Sequence, residues 1–174
     1  MKYFGLLIIS FLSGCANIPE GLVPITGFDV ERYMGQWYEI KRLDNPYERG
    51  LSNVSADYRL LPDGKIEVNN RGFNPRRNSW SIASGRAWFE GKNQDAGSLK
   101  ISFGSPFDGT YNILLLDTQY RYAMVAGTGR DDLWILSREP QLDKAIVDSL
   151  VAKAKEWGFP TSDLVFVEQK ALKR

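Results

Sequence analysis

The sequence predicts an all-β domain followed by one α-helix. Three observations carry that expectation. Apolar and polar residues alternate at period two in segment after segment, the turns between segments are short, and helical spacing appears once, late in the chain. At 174 residues the chain is long enough for a single domain with a true core.

The first strand is expected over Gln36–Leu43. Val54, Ala56, Tyr58 and Leu60 alternate with Ser55, Asp57 and Arg59, which marks a half-buried second strand. Pro62-Asp63-Gly64 turns the chain, and Ile66, Val68 and Asn70 follow at period two. Trp80–Glu90 reads as a longer strand with two apolar faces. Leu99, Ile101 and Phe103 alternate with Lys100 and Ser102, and Tyr111–Asp117, Tyr120–Gly127 and Leu133–Arg138 complete eight strands. Turns such as Asn93–Gly97, Ser105–Gly109 and Gly127–Asp131 are too short for parallel crossovers, so neighbours are antiparallel. Eight such strands form either a sandwich or a closed up-and-down barrel, and spacing alone does not choose.

The helix is expected from Leu142, Ala145, Ile146, Leu150, Ala154 and Trp157, which share a face at helical spacing. Pro140 suits the first helical position, and Gly158 with Pro160 ends the run. A polar face of mixed charge fits packing outside the sheet better than lying on a membrane. Leu164 and Phe166 suggest a last short strand.

The N-terminus carries a different signal. Lys2, an apolar run from Tyr3 to Leu12 and Leu12-Ser13-Gly14-Cys15 have the order of a secretory leader, too short to span a bilayer. The ending resembles the lipobox of bacterial lipoproteins, whose cysteine becomes an acylated N-terminus. The expected organisation is a signal peptide over 1–14, acylated Cys15 with a flexible tether over 15–27, and a folded domain over 28–174. Pro19, Gly21, Pro24 and Gly27, without periodicity, motivate the tether. Ala16 stands where an aspartate would favour the inner membrane, so outer-membrane anchoring towards the periplasm is expected.

Composition excludes several chemistries. There is no histidine, and the one cysteine is assigned to the anchor, so His triads, Cys nucleophiles and His/Cys metal sites are excluded. No cofactor or metal is expected. The net charge of +1 falls to zero once Lys2 is removed, which argues against nucleic acid as a partner. Five tryptophans suit either a core or an apolar site.

Phe28–Ile40, centred on Gly35-Gln36-Trp37, resembles the first lipocalin motif. Leu115–Tyr120 is similar to the second, although Leu116 precedes Asp117 and the tyrosine comes three residues later than in the common Thr-Asp-Tyr. Leu133–Arg138 is similar to the third, which ends in arginine. The resemblance covers Phe28 to about Gln169 and, with the lipobox, points to the lipocalins that are bacterial outer-membrane lipoproteins. It implies an eight-stranded antiparallel up-and-down barrel with the C-terminal helix packed outside. It further implies that Arg138 stacks on Trp37 to close one end, with Gly35 letting the backbone pass beneath. The implied ligands are fatty acids, lysophospholipids or similar amphiphiles, stored or transported without catalysis. A lipocalin-fold enzyme using Glu39 or Tyr58, and an envelope-structural lipoprotein with a closed core, are the alternatives. A homodimer is left open.

In such a barrel, alternation assigns the lining. Trp37 inward brings Glu39 inward, and Arg138 inward brings Leu136 and Trp134. Val54, Ala56, Tyr58, Leu60, Val68, Asn70, Leu99, Ile101 and Phe103 follow on their strands. On the sixth strand Asn112, Leu114 and Leu116 are assigned to the interior, against Tyr111, Ile113 and Leu115, which are nearly as apolar. Glu39, Asn70, Tyr58, Asn112 and the Trp134 indole N–H would be the polar groups of the cup. Arg76, Arg77 and Arg130 are expected in loops at its mouth.

Overall fold

The computed structural model describes residues 18–91, 94–104 and 108–170. Cys15 and the leader lie outside them. The described chain is a closed antiparallel barrel built from β1 (Gly35–Leu43), β2 (Ser52–Leu60), β3 (Ile66–Asn74), β4 (Ser79–Trp88), β5 (Ser98–Ser102), β6 (Gly109–Leu116), β7 (Tyr122–Ala126) and β8 (Leu133–Ser137). Each strand pairs with the next, and β1 pairs with both β8 and β2, so the ring closes and no sandwich forms. The short helix α1 (Val30–Tyr33) precedes β1, while α2 (Lys144–Glu156) and a short β9 (Leu164–Phe166) follow β8.

Two irregularities decide which side chains face inward. β1 shifts register between Glu39 and Lys41, and β6 between Ile113 and Leu115. A bulge adds one residue and reverses the alternation beyond it. On β1 its lower part pairs with β2 at Gly35–Tyr38, and its upper part pairs with β9 at Lys41–Leu43. The C-terminal segment then fills the space between β1 and β2. Asn53 N–H donates to Glu168 O (2.7 Å), and Gln169 Nε2 donates to Glu39 O and Val54 O (2.9 and 2.8 Å).

α2 packs outside the barrel, as expected, through Val147, Leu150 and Ala154 against Ile40, Leu114, Met124 and Ile135. Its start differs from the sequence reading. Asp143 caps it by accepting from Ala145 N–H (2.8 Å), so Pro140 lies before the helix and Ala145 is exposed. An acceptor side chain at the cap satisfies a free N–H, which proline cannot do by its ring alone.

The segment before α1 is not a free tether in its described part. Ile25 N–H donates to Ile113 O (2.9 Å), Gly97 N–H donates to Ile25 O (2.8 Å), and Pro24 is buried. Absence of periodicity had suggested flexibility, but two backbone bonds to the barrel wall dock these residues.

Candidate functional site: a cup above an aromatic plug

The closed end is built first. Asp29 caps α1 through Oδ1 to the N–H groups of Glu31 and Arg32 (3.0 and 3.2 Å). The helix delivers Tyr33 into the barrel, where its ring lies 4.7 Å from Trp37, 5.8 Å from Tyr58 and 5.3 Å from Phe28. The hydroxyls of Tyr33 and Tyr58 both meet that of Tyr111, at 2.7 and 3.1 Å. Burial is the main reason that all three phenols are held well above the ordinary tyrosine range. They are neutral, mutually hydrogen-bonded, and form the floor of the space above.

Arg138 locks this floor from beneath. Its guanidinium lies 4.0 Å from the Trp37 ring and donates to Arg32 O (2.8 Å), Gln36 O (2.9 Å) and Tyr120 O (3.3 Å). Stacking plus a planar fork of donors is a task for arginine, not lysine. Gly35 has φ +91°, while a Cβ there would be 3.5 Å from Arg138 Nη1, so backbone conformation requires glycine more than space does. Tyr120 completes the junction. Its hydroxyl accepts from Asp29 N–H (2.9 Å), and Arg32 stacks on its ring at 4.0 Å. Asp117, held below the usual carboxylate range chiefly by hydrogen bonds from the Arg121 side chain, fixes the turn that carries Tyr120. The three sequence motifs therefore meet at one end of the barrel.

Above the plug is a cavity of about 550 Å³. That lies within the range of small-molecule sites, which are mostly apolar with a few placed polar groups. Ala56, Tyr58, Ile101, Phe103 and Leu136 supply apolar wall, with Tyr111 at the floor. Glu39, Asn70 and Trp134 also face the cavity, as alternation assigned them.

Four assigned residues do not face it. Val68 and Leu99 are buried in the plug with Trp37 and Ile113, because the filled part of the barrel rises higher than a thin floor. Leu114 packs outside with α2, and Asn112 is fixed in the wall by Gly127 O (3.0 Å) and Ser98 Oγ (2.7 Å). The inward residues of β6 are Tyr111 and Ile113. After the bulge Leu116 returns to the inner cluster, as assigned, while Leu114 and Leu115 both join the outer one.

The sequence reading missed a buried polar cluster on the cup wall. Arg42 is almost wholly buried and donates through Nη1 to Glu39 Oε2 (3.3 Å) and through Nη2 to Glu48 O (2.5 Å). Glu48 Oε2 accepts from Asn45 Nδ2 (2.6 Å) and from the Trp134 indole (3.0 Å). The indole N–H, expected to be open to a ligand, is therefore already engaged. Burial first, and the neighbouring Glu48 second, push the Glu39 carboxyl well above its usual range. Strict alternation puts Arg42 outside, and only the bulge at Ile40 brings it in. Glu48 lies in a loop with no period to read. Asn70 Oδ1 is different again: it is buried without a hydrogen-bond partner among the described residues, so it can accept from a bound molecule.

At the mouth, Arg76 and Arg77 are exposed on the β3–β4 turn, as expected. Arg130 is not available there. It donates through Nε to Trp157 O and through Nη2 to Glu20 O, both at 2.6 Å. Among the described residues no group of His, Cys, Asp and Glu is arranged to hold a metal ion, and no helix is long and apolar enough to cross a membrane.

Comparison with known proteins agrees with this geometry. The lipocalin-like domain family matches residues 28–169. This chain belongs to the lipocalins. It is 42% identical to outer membrane lipoprotein Blc of Vibrio cholerae over 96% of this chain and 98% of that one. The corresponding figures for outer membrane lipoprotein Blc of Escherichia coli K12 are 44%, 87% and 85%. Among solved structures, insecticyanin from Manduca sexta superposes with a TM-score of 0.70 at 18% identity, covering 87% of this chain and 86% of that one. At that identity the likeness shows the fold. The lipocalin is thus a barrel with a cup suited to a small hydrophobic ligand.

Proposed function

We propose that this lipocalin holds a single-chain amphiphile, a fatty acid, lysophospholipid or similar lipid, and stores or transports it at the outer membrane. The observation that carries this reading is the roughly 550 Å³ cup: apolar below, and lined higher up by a few polar side chains. Burying ten methylenes would contribute about 8 kcal/mol before ordering costs. Micromolar binding needs about that much. A cavity of this size also weighs against a purely structural protein with a closed core.

The anchor is Cys15, acylated after removal of residues 1–14 and placing the barrel on the periplasmic side. The order of the N-terminal sequence supports it, and two relatives of high coverage carry the name outer membrane lipoprotein. We read the protein as a carrier, not an enzyme. Glu39 and Tyr58, the two candidate acid–base groups, are spent on buried hydrogen bonds with neighbouring side chains.

Native mass spectrometry of the chain from Ala16 tests the proposal. A released adduct identified as a lipid, or stoichiometric uptake of added lysophospholipid, is expected. Filling the cup by Ala56→Trp should abolish that uptake. A clean apo mass that resists lysophospholipid would overturn the carrier reading.

A further inference from the structure

Two separate features point the mouth of the barrel at a membrane. The first is the path of the N-terminal segment. Phe28 packs in the plug at the closed end, Ile25 is bonded to the wall at Ile113, and Glu20 is held by Arg130 in the β7–β8 loop at the open end. The segment therefore runs up the outside of the barrel, from floor to mouth, towards its N-terminus. Cys15 precedes Glu20 by five residues, and five residues span at most about 18 Å. An acyl anchor on Cys15, which rests on the reading above, therefore holds the mouth, not the closed end, near the bilayer.

The second feature is the β3–β4 hairpin. Between Glu67 and Glu90 the sequence has four arginines, no lysine and no acidic residue, in a chain whose total charge is only +1. Its turn, at the mouth, carries Arg76 and Arg77. Its outer face exposes Ile82 (72%) and Trp80 (39%), with Phe73 against Trp80 at 5.6 Å and Arg71 stacked on Trp80 at 4.0 Å. Ser81 and Ala83, on the opposite face, line the cup. Tryptophan flanked by arginine suits the level of lipid headgroups, and each basic residue near an anionic surface adds to the attraction.

We propose that this hairpin docks on the anionic headgroups of a phospholipid bilayer. Arg76 and Arg77 meet phosphates, Trp80 and Ile82 enter the interface, and the cup opens onto the membrane. A second copy of the chain is the competing occupant. The stretch Ser79–Gly85 has no sheet partner on its β5 side among the described residues, since β4 pairs with β5 only at Arg86–Trp88. Yet a twofold contact would set the same patch against itself, arginine facing arginine. Charge complementarity favours the bilayer.

Vesicle flotation tests this with the chain from Ala16, which lacks the acyl group and carries every element of the fold. Vesicles of phosphatidylethanolamine and phosphatidylglycerol (about 3:1) should bind it at low salt and release it at high salt, as screening requires. Vesicles of phosphatidylcholine alone should bind much less. Arg76→Gln with Arg77→Gln should weaken binding about 30-fold. Trp80→Ser with Ile82→Ser should weaken it about tenfold or more, with an unchanged melting temperature because these residues are exposed. Equal binding to both vesicle types, or no effect of either double variant, would overturn the proposal. So would a salt-stable dimer dispersed by Trp80→Ser/Ile82→Ser and indifferent to vesicles. Lysophospholipid uptake without vesicle binding would defeat the docking alone, and vesicle binding without uptake would defeat the cargo reading alone.

Discussion

Glu39→Gln should stabilise this protein, and increasingly so as the pH rises from 5. The carboxyl is buried on β1, 3.3 Å from Arg42, and burial reinforced by the nearby Glu48 keeps its proton well above the usual carboxylate range. In the unfolded chain the same group releases its proton near its ordinary value of about 4.3. Between those two points the folded state binds one more proton than the unfolded state. Stability must then fall by about 1.4 kcal/mol per pH unit. Glutamine keeps the size and can still accept from Arg42 Nη1, but it has no proton to lose. The advantage of the variant over wild type should therefore be flat near pH 4 and grow by about 1.4 kcal/mol from pH 5 to pH 6. It levels off once the folded carboxyl titrates. Urea unfolding followed by tryptophan fluorescence at each pH measures it, provided the slope with urea is unchanged. If wild type instead gains on the variant between pH 5 and 7, Glu39 is ionised and paired with Arg42, and the reasoning is wrong.

Three further outcomes follow from the same geometry. Arg138→Lys loses the fork to three carbonyls and much of the stacking on Trp37, and should cost about 2–4 kcal/mol in urea unfolding. A cost below about 1 kcal/mol would show that the closed end does not depend on it. Leu114→Ala should cost about 2–4 kcal/mol while leaving lysophospholipid uptake unchanged, because Leu114 packs on α2 outside the barrel. Loss of uptake at unchanged stability would return Leu114 to the cup. Cys15→Ser should move the protein from the membrane fraction to the soluble fraction of the envelope, and retention in the membrane would refute the acyl anchor.

The closed end was legible in the sequence because its residues act through chain-local patterns. Gly35, Trp37 and Arg138 lie within their motifs, and strands with clean alternation, such as Val54–Leu60, can face only one way. The cup was less legible for a specific physical reason. Alternation is reliable only until a bulge, and both bulged strands border the site. On β6 the two faces are about equally apolar, so nothing in the residue types marked Tyr111 and not Asn112 as inward. On β1 the bulge buried Arg42, which composition alone would place in solvent. Tyr33 escaped notice because a four-residue helix gives no period to detect. Glu48 and Asn45 reach the cavity from a loop, and only tertiary structure brings them to Trp134.

The distribution of polar atoms within the barrel also orients the cargo. The floor phenols satisfy one another, so nothing there rewards a polar head. Higher up, Glu48 is engaged by Asn45 and Trp134, and Asp132, whose carboxyl burial pushes upward, adds further acidic character. An anionic head driven into the cup would meet carboxylates and lose water, whereas a hydrocarbon tail loses nothing it needs. The amphiphile should therefore enter tail first, with its head near the mouth. Affinity should then follow tail length, at about 0.8 kcal/mol or fourfold per methylene until the cup is full. At fixed tail length, exchanging carboxylate for phosphocholine should change affinity by less than adding two methylenes. Calorimetry with saturated fatty acids and lysophosphatidylcholines of ten, twelve and fourteen carbons makes the comparison. A head exchange that outweighs the whole length series would mean that the head, and not the tail, occupies the cup.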